Sequence, residues 1–199
     1  TTRIVNLETG QYADEAELEK LAQAGYPVAT FDQKKLAKDP KFSEKLSGSE
    51  DPASIKRQAD YAAVYLVEKE GEVDRIILPV HGYGLWSTLY GFVALQGNAE
   101  TIAGLGFYSH AETPGLGGEI DNPSWKAMWE GKEVYDDAGK VAIDVIKGKV
   151  DPASPKADNQ IDGLSGATLT SKGVSNLVQF WLGEQGFAAY LAGFKGQGV

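Results

Sequence analysis

Two pairs of β-branched and aromatic runs in the middle of the chain restrict its possible folds more than any other feature. Tyr61 to Val67 and Arg75 to Val80 flank the polar turn Lys69-Glu70-Gly71-Glu72. Ser87 to Leu95 and Thr101 to Tyr108 flank a second turn at Gly97-Asn98. Runs of this kind joined by short glycine-bearing turns read as β-hairpins. Two hairpins in succession predict a mostly antiparallel sheet of about four strands.

Helical signals lie on both sides of that sheet, so the fold class expected is α+β, a mostly antiparallel sheet flanked by helices. Asp14 and Glu17 have capping-box spacing, Leu18, Leu21 and Ala22 make an apolar stripe, and Gly25 marks a stop. Asn122 and Pro123 are placed to start a short helix running to Glu130, with Gly131 at its end. Val141 to Ile146 reads as a further strand, and residues 148–160 as a Pro-, Ala- and Asp-rich surface loop. A last helical region starts near Thr170, with Val174, Leu177, Val178, Trp181 and Leu182 at helical spacing. Gly183 and Gly186 then allow a break before Ala188 to Phe194. Residues 1–60 read as a helical and loop-like lobe packed on a single domain of residues 61–199.

Composition excludes several kinds of chemistry. With 199 residues the chain buries enough surface for one core, roughly 70% of what its unfolded form exposes. It has no cysteine, which removes disulfides, thiol catalysis, cysteine-ligated zinc and iron–sulfur clusters. The formal charge of −9, from 28 acidic and 19 basic residues, comes without a dense Lys/Arg cluster, so nucleic acid is not an expected partner. The only histidines, His81 and His110, lack spaced acidic partners, and neither a metal site nor a catalytic residue is expected. No run of about 18 apolar residues is present.

Three segments are rich enough in glycine, hydroxyl and aromatic residues to hold a ligand. In Asp162-Gly163-Leu164-Ser165-Gly166-Ala167-Thr168-Leu169-Thr170-Ser171, small residues and hydroxyls precede a helix start. Unpaired N–H groups and the positive end of the dipole at such a point suit a phosphate, and Gly166 and Ala167 allow close approach. The same spacing equally suits Thr170 or Ser171 as a plain helix cap. A hydrolase nucleophile at Ser165 is a third reading, but its general-base histidine should follow the serine, and both histidines precede it. The second segment, Glu112-Thr113-Pro114-Gly115-Leu116-Gly117-Gly118-Glu119, is either a tight post-strand loop or a loop that lays Leu116 flat against a planar ring. It lacks the lysine of a phosphate-binding P-loop and the spacing of a dinucleotide-binding turn. In His81-Gly82-Tyr83-Gly84-Leu85-Trp86, Trp86 is either a core aromatic or a stacking partner.

Taken in order, these segments resemble a known family: the C-subunit of the bacterial Na+-translocating NADH:quinone oxidoreductase, related to the G-subunit of the Rnf electron-transport complex. The likeness runs from about Tyr83 to Leu191 and includes Asn122-Pro123-Ser124-Trp125-Lys126-Ala127-Met128-Trp129 and the tail Phe180-Trp181-Leu182-Gly183. It implies a single FMN-binding domain and a flavin attached as a phosphoester to Thr168 by a flavin transferase that reads Asp162 and Gly163. It implies further cofactor contacts at Trp86, Glu112, Thr113, Pro114, Gly115, Leu116, Gly117, Ser165, Gly166, Ala167, Leu169 and Thr170. The implied role is a one-electron carrier among the other subunits of a membrane complex that moves sodium ions and reduces ubiquinone with NADH, with no turnover by this chain alone. The Rnf G-subunit and a non-redox binding module are the alternatives. The family also has an N-terminal anchor, absent from a chain that opens Thr1-Thr2-Arg3-Ile4. The residues are therefore expected to be the periplasm-facing part of an inner-membrane protein.

Overall fold

The computed structural model describes residues 1–196, so the last three residues of the expected 61–199 domain lie outside the described residues. At its centre is a five-stranded antiparallel sheet. The strands are β1 (Thr2–Asn6), β4 (Tyr61–Lys69), β5 (Glu72–Tyr83), β6 (Thr88–Gln96) and β7 (Ile102–Ser109), in the spatial order β1-β4-β5-β6-β7. Between β1 and β4 come α1 (Glu15–Gln23), α2 (Gln33–Leu36) and the small antiparallel pair β2 (Ser43–Lys45) and β3 (Arg57–Ala59). After β7 follow α3 (Pro123–Ala127), the short parallel pair β8 (Asp144–Val145) and β9 (Gln160–Ile161), α4 (Thr168–Leu182) and α5 (Ala188–Gly196).

Both expected hairpins form. β4 and β5 turn through Glu70 and Gly71, both at positive φ, the mirror-type turn whose twist matches that of paired strands. β6 and β7 turn after Gly97, with the Asn98 side chain accepting from the Glu100 and Thr101 N–H groups. Alternation along the strands separates two faces. Ile76, Leu78 and Val80 on β5 and Leu89, Val93 and Leu95 on β6 point inward against Val174, Leu177, Val178 and Trp181 of α4. Each fully buried aliphatic side chain of that layer contributes roughly 1.5–3 kcal/mol. The helix sits close because β5 has glycine where it crosses: a β-carbon on Gly82 would lie 2.6 Å from Leu177 Cβ. Trp181 is fully buried and donates its indole N–H to the His81 carbonyl at 2.8 Å.

The other face of the sheet is covered at the β1 and β4 end. There Ile4 and Ala63 meet Leu21, Tyr26, Leu36 and Phe42 in a second, smaller core. Ala62 and Val64 belong to the first core and Ala63 to the second, so β4 is buried on both sides.

Several elements depart from the sequence reading, among them the strand pair β2–β3 inside residues 1–60 and β9 at the end of the expected 148–160 loop. The opening residues form a strand paired with β4 over Thr2 to Asn6, which raises the strand count to five. The helix expected to reach Glu130 ends at Ala127 and continues as turns to Gly131. The strand expected over Val141 to Ile146 narrows to Asp144–Val145, because Val141 bridges back to Tyr135. The long C-terminal helix begins at Thr168, two residues before the expected start. Among the described residues, no helix is long and apolar enough to cross a membrane.

Candidate functional site

Three segments converge at the amino end of α4, and its sequence explains what that end leaves open. Ala167 occupies the N-cap position and no side chain caps the helix. Thr170 and Ser171, the two cap candidates, are buried and turned inward. The Thr170 hydroxyl donates to Glu112 Oε1 at 2.9 Å, and Ser171 Oγ accepts from the Leu164 N–H at 3.0 Å. The expectation that Thr170 caps the helix is therefore corrected: the helix starts at Thr168, so Thr170 lies inside its first turn, where its hydroxyl turns inward to donate to a buried carboxylate. The first-turn N–H groups therefore have no side-chain cap, beside exposed Thr168, the arrangement that binds anions.

Thr168 lies on the wall of a cleft of about 1190 Å³. A polar stripe on α4 lines one side: Thr168, Ser171, Lys172, Ser175, Asn176 and Gln179. That stripe extends about 16 Å at the α-helical rise. Opposite stand Asn122, Trp125 and Met128 of α3 and its caps, and the loop Ile146-Lys147-Gly148-Lys149 closes the end. Lys147, Lys149 and Lys172 are exposed on this cleft, and the half-buried carboxylates of Glu119, Asp144 and Asp162 line it as well.

Asp162 and Gly163 fix the cleft's floor. Asp162 Oδ1 accepts from the Val150 N–H at 2.8 Å, and its carbonyl accepts from the Trp125 indole N–H at 2.8 Å. The Gly163 N–H donates to the Gly148 carbonyl, and a β-carbon at Gly163 would collide with the Ile146 carbonyl oxygen. Gly115 and Gly166 both have positive φ, and both line the cleft. Leu116 rests over Gly166, where an added β-carbon would come within 3.3 Å of Leu116 Cδ2. In the same loop the Thr113 carbonyl accepts from the Leu116 and Gly118 N–H groups, which sets the turn carrying Pro114 and Gly115.

Of the residues singled out from the sequence, Gly115, Asp162, Gly163, Ser165, Gly166 and Thr168 line the cleft. Trp86, Thr113, Pro114, Leu116, Gly117, Ala167, Leu169 and Thr170 do not. Trp86 stands 67% exposed, with Leu116 and Leu169 also largely open, so these three offer apolar surface outside the cleft. Glu112 is buried and bonded entirely to protein groups. Burial alone would raise its pKa, but the Leu85 and Trp86 N–H groups and the Thr170 and Ser87 hydroxyls outweigh it and hold the carboxyl below its ordinary value. Sequence reasoning missed Asn122, Met128, Lys147, Lys149, Lys172, Asn176 and Gln179 as site residues. A signal existed for the last three, since with Thr168 they form a polar stripe at helical spacing on an apolar helix.

An uncapped helix end beside exposed lysines and glycine-lined walls suits a phosphate-bearing ligand. The family model described as an FMN-binding domain matches residues 84–183. The C-subunit of the Na(+)-translocating NADH-quinone reductase from Pseudomonas aeruginosa is 56% identical over 98% of this chain and 71% of its own length. Its counterpart from Vibrio parahaemolyticus is 44% identical over 99% of this chain and 72% of its own. A crystal structure of Shewanella oneidensis NqrC superposes with a TM-score of 0.85 at 34% identity, covering 98% of this chain and 84% of that one. This chain belongs to the NqrC family, the C-subunits of the Na(+)-translocating NADH-quinone reductases, which are oxidoreductase subunits with an FMN-binding domain.

Proposed function

We propose that this chain carries one FMN joined through its phosphate to the Thr168 hydroxyl oxygen, and passes single electrons between redox centres of a Na(+)-translocating NADH-quinone reductase. The observation that carries the covalent reading is the exposed Thr168 at an uncapped helix end, opening on a cleft with three lysines. The residues present suit the group. A phosphate at Thr168 meets the uncapped N–H groups of α4 and the Lys172 ammonium. Gly115 and Gly166 let backbone approach, while Trp125 and Met128 provide apolar surface for a ring inside the cleft and Leu116 provides more just outside it. A cleft of about 1190 Å³ exceeds the roughly 300–1,000 Å³ of ordinary small-ligand pockets.

The flavin supplies the one-electron chemistry when bound, and the protein supplies attachment, orientation and electrostatics. Lys147, Lys149 and Lys172 offset the phosphate charge, and the loop braced by Asp162 and Gly163 holds the cleft open. A covalent tether prevents loss of a cofactor that has one side open to water. In this reading a flavin transferase recognises the segment beginning Asp162-Gly163 and transfers FMN from FAD to the Thr168 hydroxyl, breaking the pyrophosphate bond and releasing AMP, and the domain faces the periplasm beside the inner-membrane subunits of its complex.

Intact mass tests the assignment. Protein produced with a flavin transferase is expected to be yellow and heavier by one FMN less water, with the added mass on the peptide holding Thr168. Thr168→Val is expected to be colourless and unmodified. An unmodified wild-type chain under those conditions sinks the proposal, and flavin retained by Thr168→Val moves the attachment elsewhere, with Thr170 the next residue to examine.

A further inference from the structure

Glu112 is a carboxylate only 5% exposed, with no cation bonded to it among the described residues. An unpaired charge in such a place is unfavourable by several kcal/mol unless hydrogen bonds replace its water. Four donors do so here. Oε1 accepts from the Leu85 N–H at 2.6 Å and the Thr170 hydroxyl at 2.9 Å. Oε2 accepts from the Trp86 N–H at 2.9 Å and the Ser87 hydroxyl at 3.0 Å. A carboxylate has about four acceptor positions, so none remains for a ligand.

The bonds extend outward from there. Ser87 Oγ accepts from the Ala111 N–H at 2.8 Å, and the Glu112 N–H donates to His110 Nδ1 at 3.1 Å. His110 Nε2 then carries the proton that it shares with Asp121 Oδ2 at 2.6 Å. Around this centre the segments meet through glycine. A β-carbon at Gly84 would collide with Glu112 Oε1, one at Gly117 would lie 2.5 Å from Thr170 Oγ1, and one at Gly173 2.6 Å from the Tyr83 carbonyl oxygen.

We infer that Glu112 is the positioning residue of the flavin site: without touching the flavin, it locks the Trp86 loop, the Thr113–Gly118 loop and the first turn of α4 into one preformed platform. The inference rests on the reading of Thr168 as the attachment point. Glu112→Gln keeps the side-chain shape but turns one acceptor oxygen into an NH2 group and makes the other a neutral amide oxygen. The backbone N–H facing the NH2 group loses its acceptor, whereas the hydroxyl beside it can turn to accept, and the opposite N–H keeps a weaker, uncharged acceptor.

The test uses two states of the protein. In the flavin-free chain, amide NMR should show the Leu85 and Trp86 N–H signals downfield and protected from exchange. In Glu112→Gln both should move upfield, and the one facing the NH2 group should exchange about tenfold faster or more, the scale of a lost hydrogen bond to a charged group, while the Val93 amide is unchanged. In the flavin-loaded chain, matched for flavin content by mass, Glu112→Gln should alter the visible circular dichroism and fluorescence of the flavin. Thr170→Val removes one donor and keeps the carboxylate, so it should preserve the Leu85 and Trp86 protection and perturb the flavin less. If Glu112→Gln does not fold, the wild-type Leu85 and Trp86 shifts should still titrate together at acid pH below the ordinary carboxylate range. Unmoved Leu85 and Trp86 amides, or an unchanged flavin spectrum in a loaded Glu112→Gln protein, overturn the inference. A wild-type chain that never gains the FMN mass refutes the attachment reading instead, and the amide experiment still decides what Glu112 holds.

Discussion

At Gly163 one hydrogen atom separates a working loop from a steric collision. Its backbone packs so close to the Ile146 carbonyl that a methyl group must push residues 146–150 away, and with them Lys147 and Lys149 on the cleft. Gly163→Ala is therefore expected to destabilise the chain by about 1–3 kcal/mol, the range for overpacking a tight site. Gly104→Ala is the control, because nothing lies within 4 Å of a β-carbon there. Urea midpoints for the two variants decide it: a Gly163→Ala midpoint equal to that of Gly104→Ala removes the steric argument. At this scale the sequence is readable where a residue acts through its own backbone, as at Gly115 and Gly166 with their positive φ. It is unreadable where a residue acts through distant partners. Glu112 bonds to Trp86 and Thr170, which lie 26 and 58 positions away, and no local pattern encodes either bond. For the same reason Thr170 and Ser171 look like interchangeable caps in the sequence, although their hydroxyls serve Glu112 and the Leu164 N–H.

Elements are legible in proportion to how locally they are held. The first helix announces itself through Asp14 and Glu17, and both halves of the capping box form, at 2.9 Å each. Asp14→Ala should weaken the chain by about 1 kcal/mol, the usual effect of losing a cap. The check is thermal melting beside Glu15→Ala, a first-turn residue that makes no cap bond; equal melting temperatures for the two would remove the capping argument. The strand Thr2–Asn6 gives no comparable signal. It is five residues long, and every strand partner it uses lies in Tyr61 to Tyr65, far along the chain. The pair Asp144–Val145 and Gln160–Ile161 is harder still, since two-residue strands carry no periodicity. The stripe from Thr168 to Gln179 falls between these cases. Its spacing is visible as helix, but its meaning depends on α3 and the Ile146–Lys149 loop standing opposite.

For the whole molecule, Trp181 of α4 and Lys34 of α2 meet around β5 and β6 and place the half-buried His81 where its charge state affects folding. Its ring stacks on Tyr90 at 5.4 Å and lies 5.1 Å from Trp181, centroid to centroid. Burial, and after it the Lys34 ammonium, pull its pKa from 6.5 down to about 4, with Asp51 opposing weakly. Lys34 is itself fixed nearby, its Nζ 3.5 Å from the Tyr90 ring centre. In the unfolded chain the imidazole takes up a proton near pH 6.5, while in the folded chain it resists until about pH 4. Between those values the unfolded state binds more protons, so stability falls as pH drops through this window and His81 contributes no pH dependence above it. The full effect across the window is about 3 kcal/mol at 1.36 kcal/mol per pH unit. His81→Gln removes the titration. Urea unfolding at pH 7, 6, 5 and 4.5 should therefore show the wild type losing stability faster than His81→Gln, with the curves parallel above pH 7. Below about pH 4 both proteins should weaken together as Glu112 and Glu17, whose pKa values are lowered by their hydrogen bonds against the opposing effect of burial, take up protons. Parallel curves between pH 6.5 and 4 would show that the buried imidazole is not the group that senses acid.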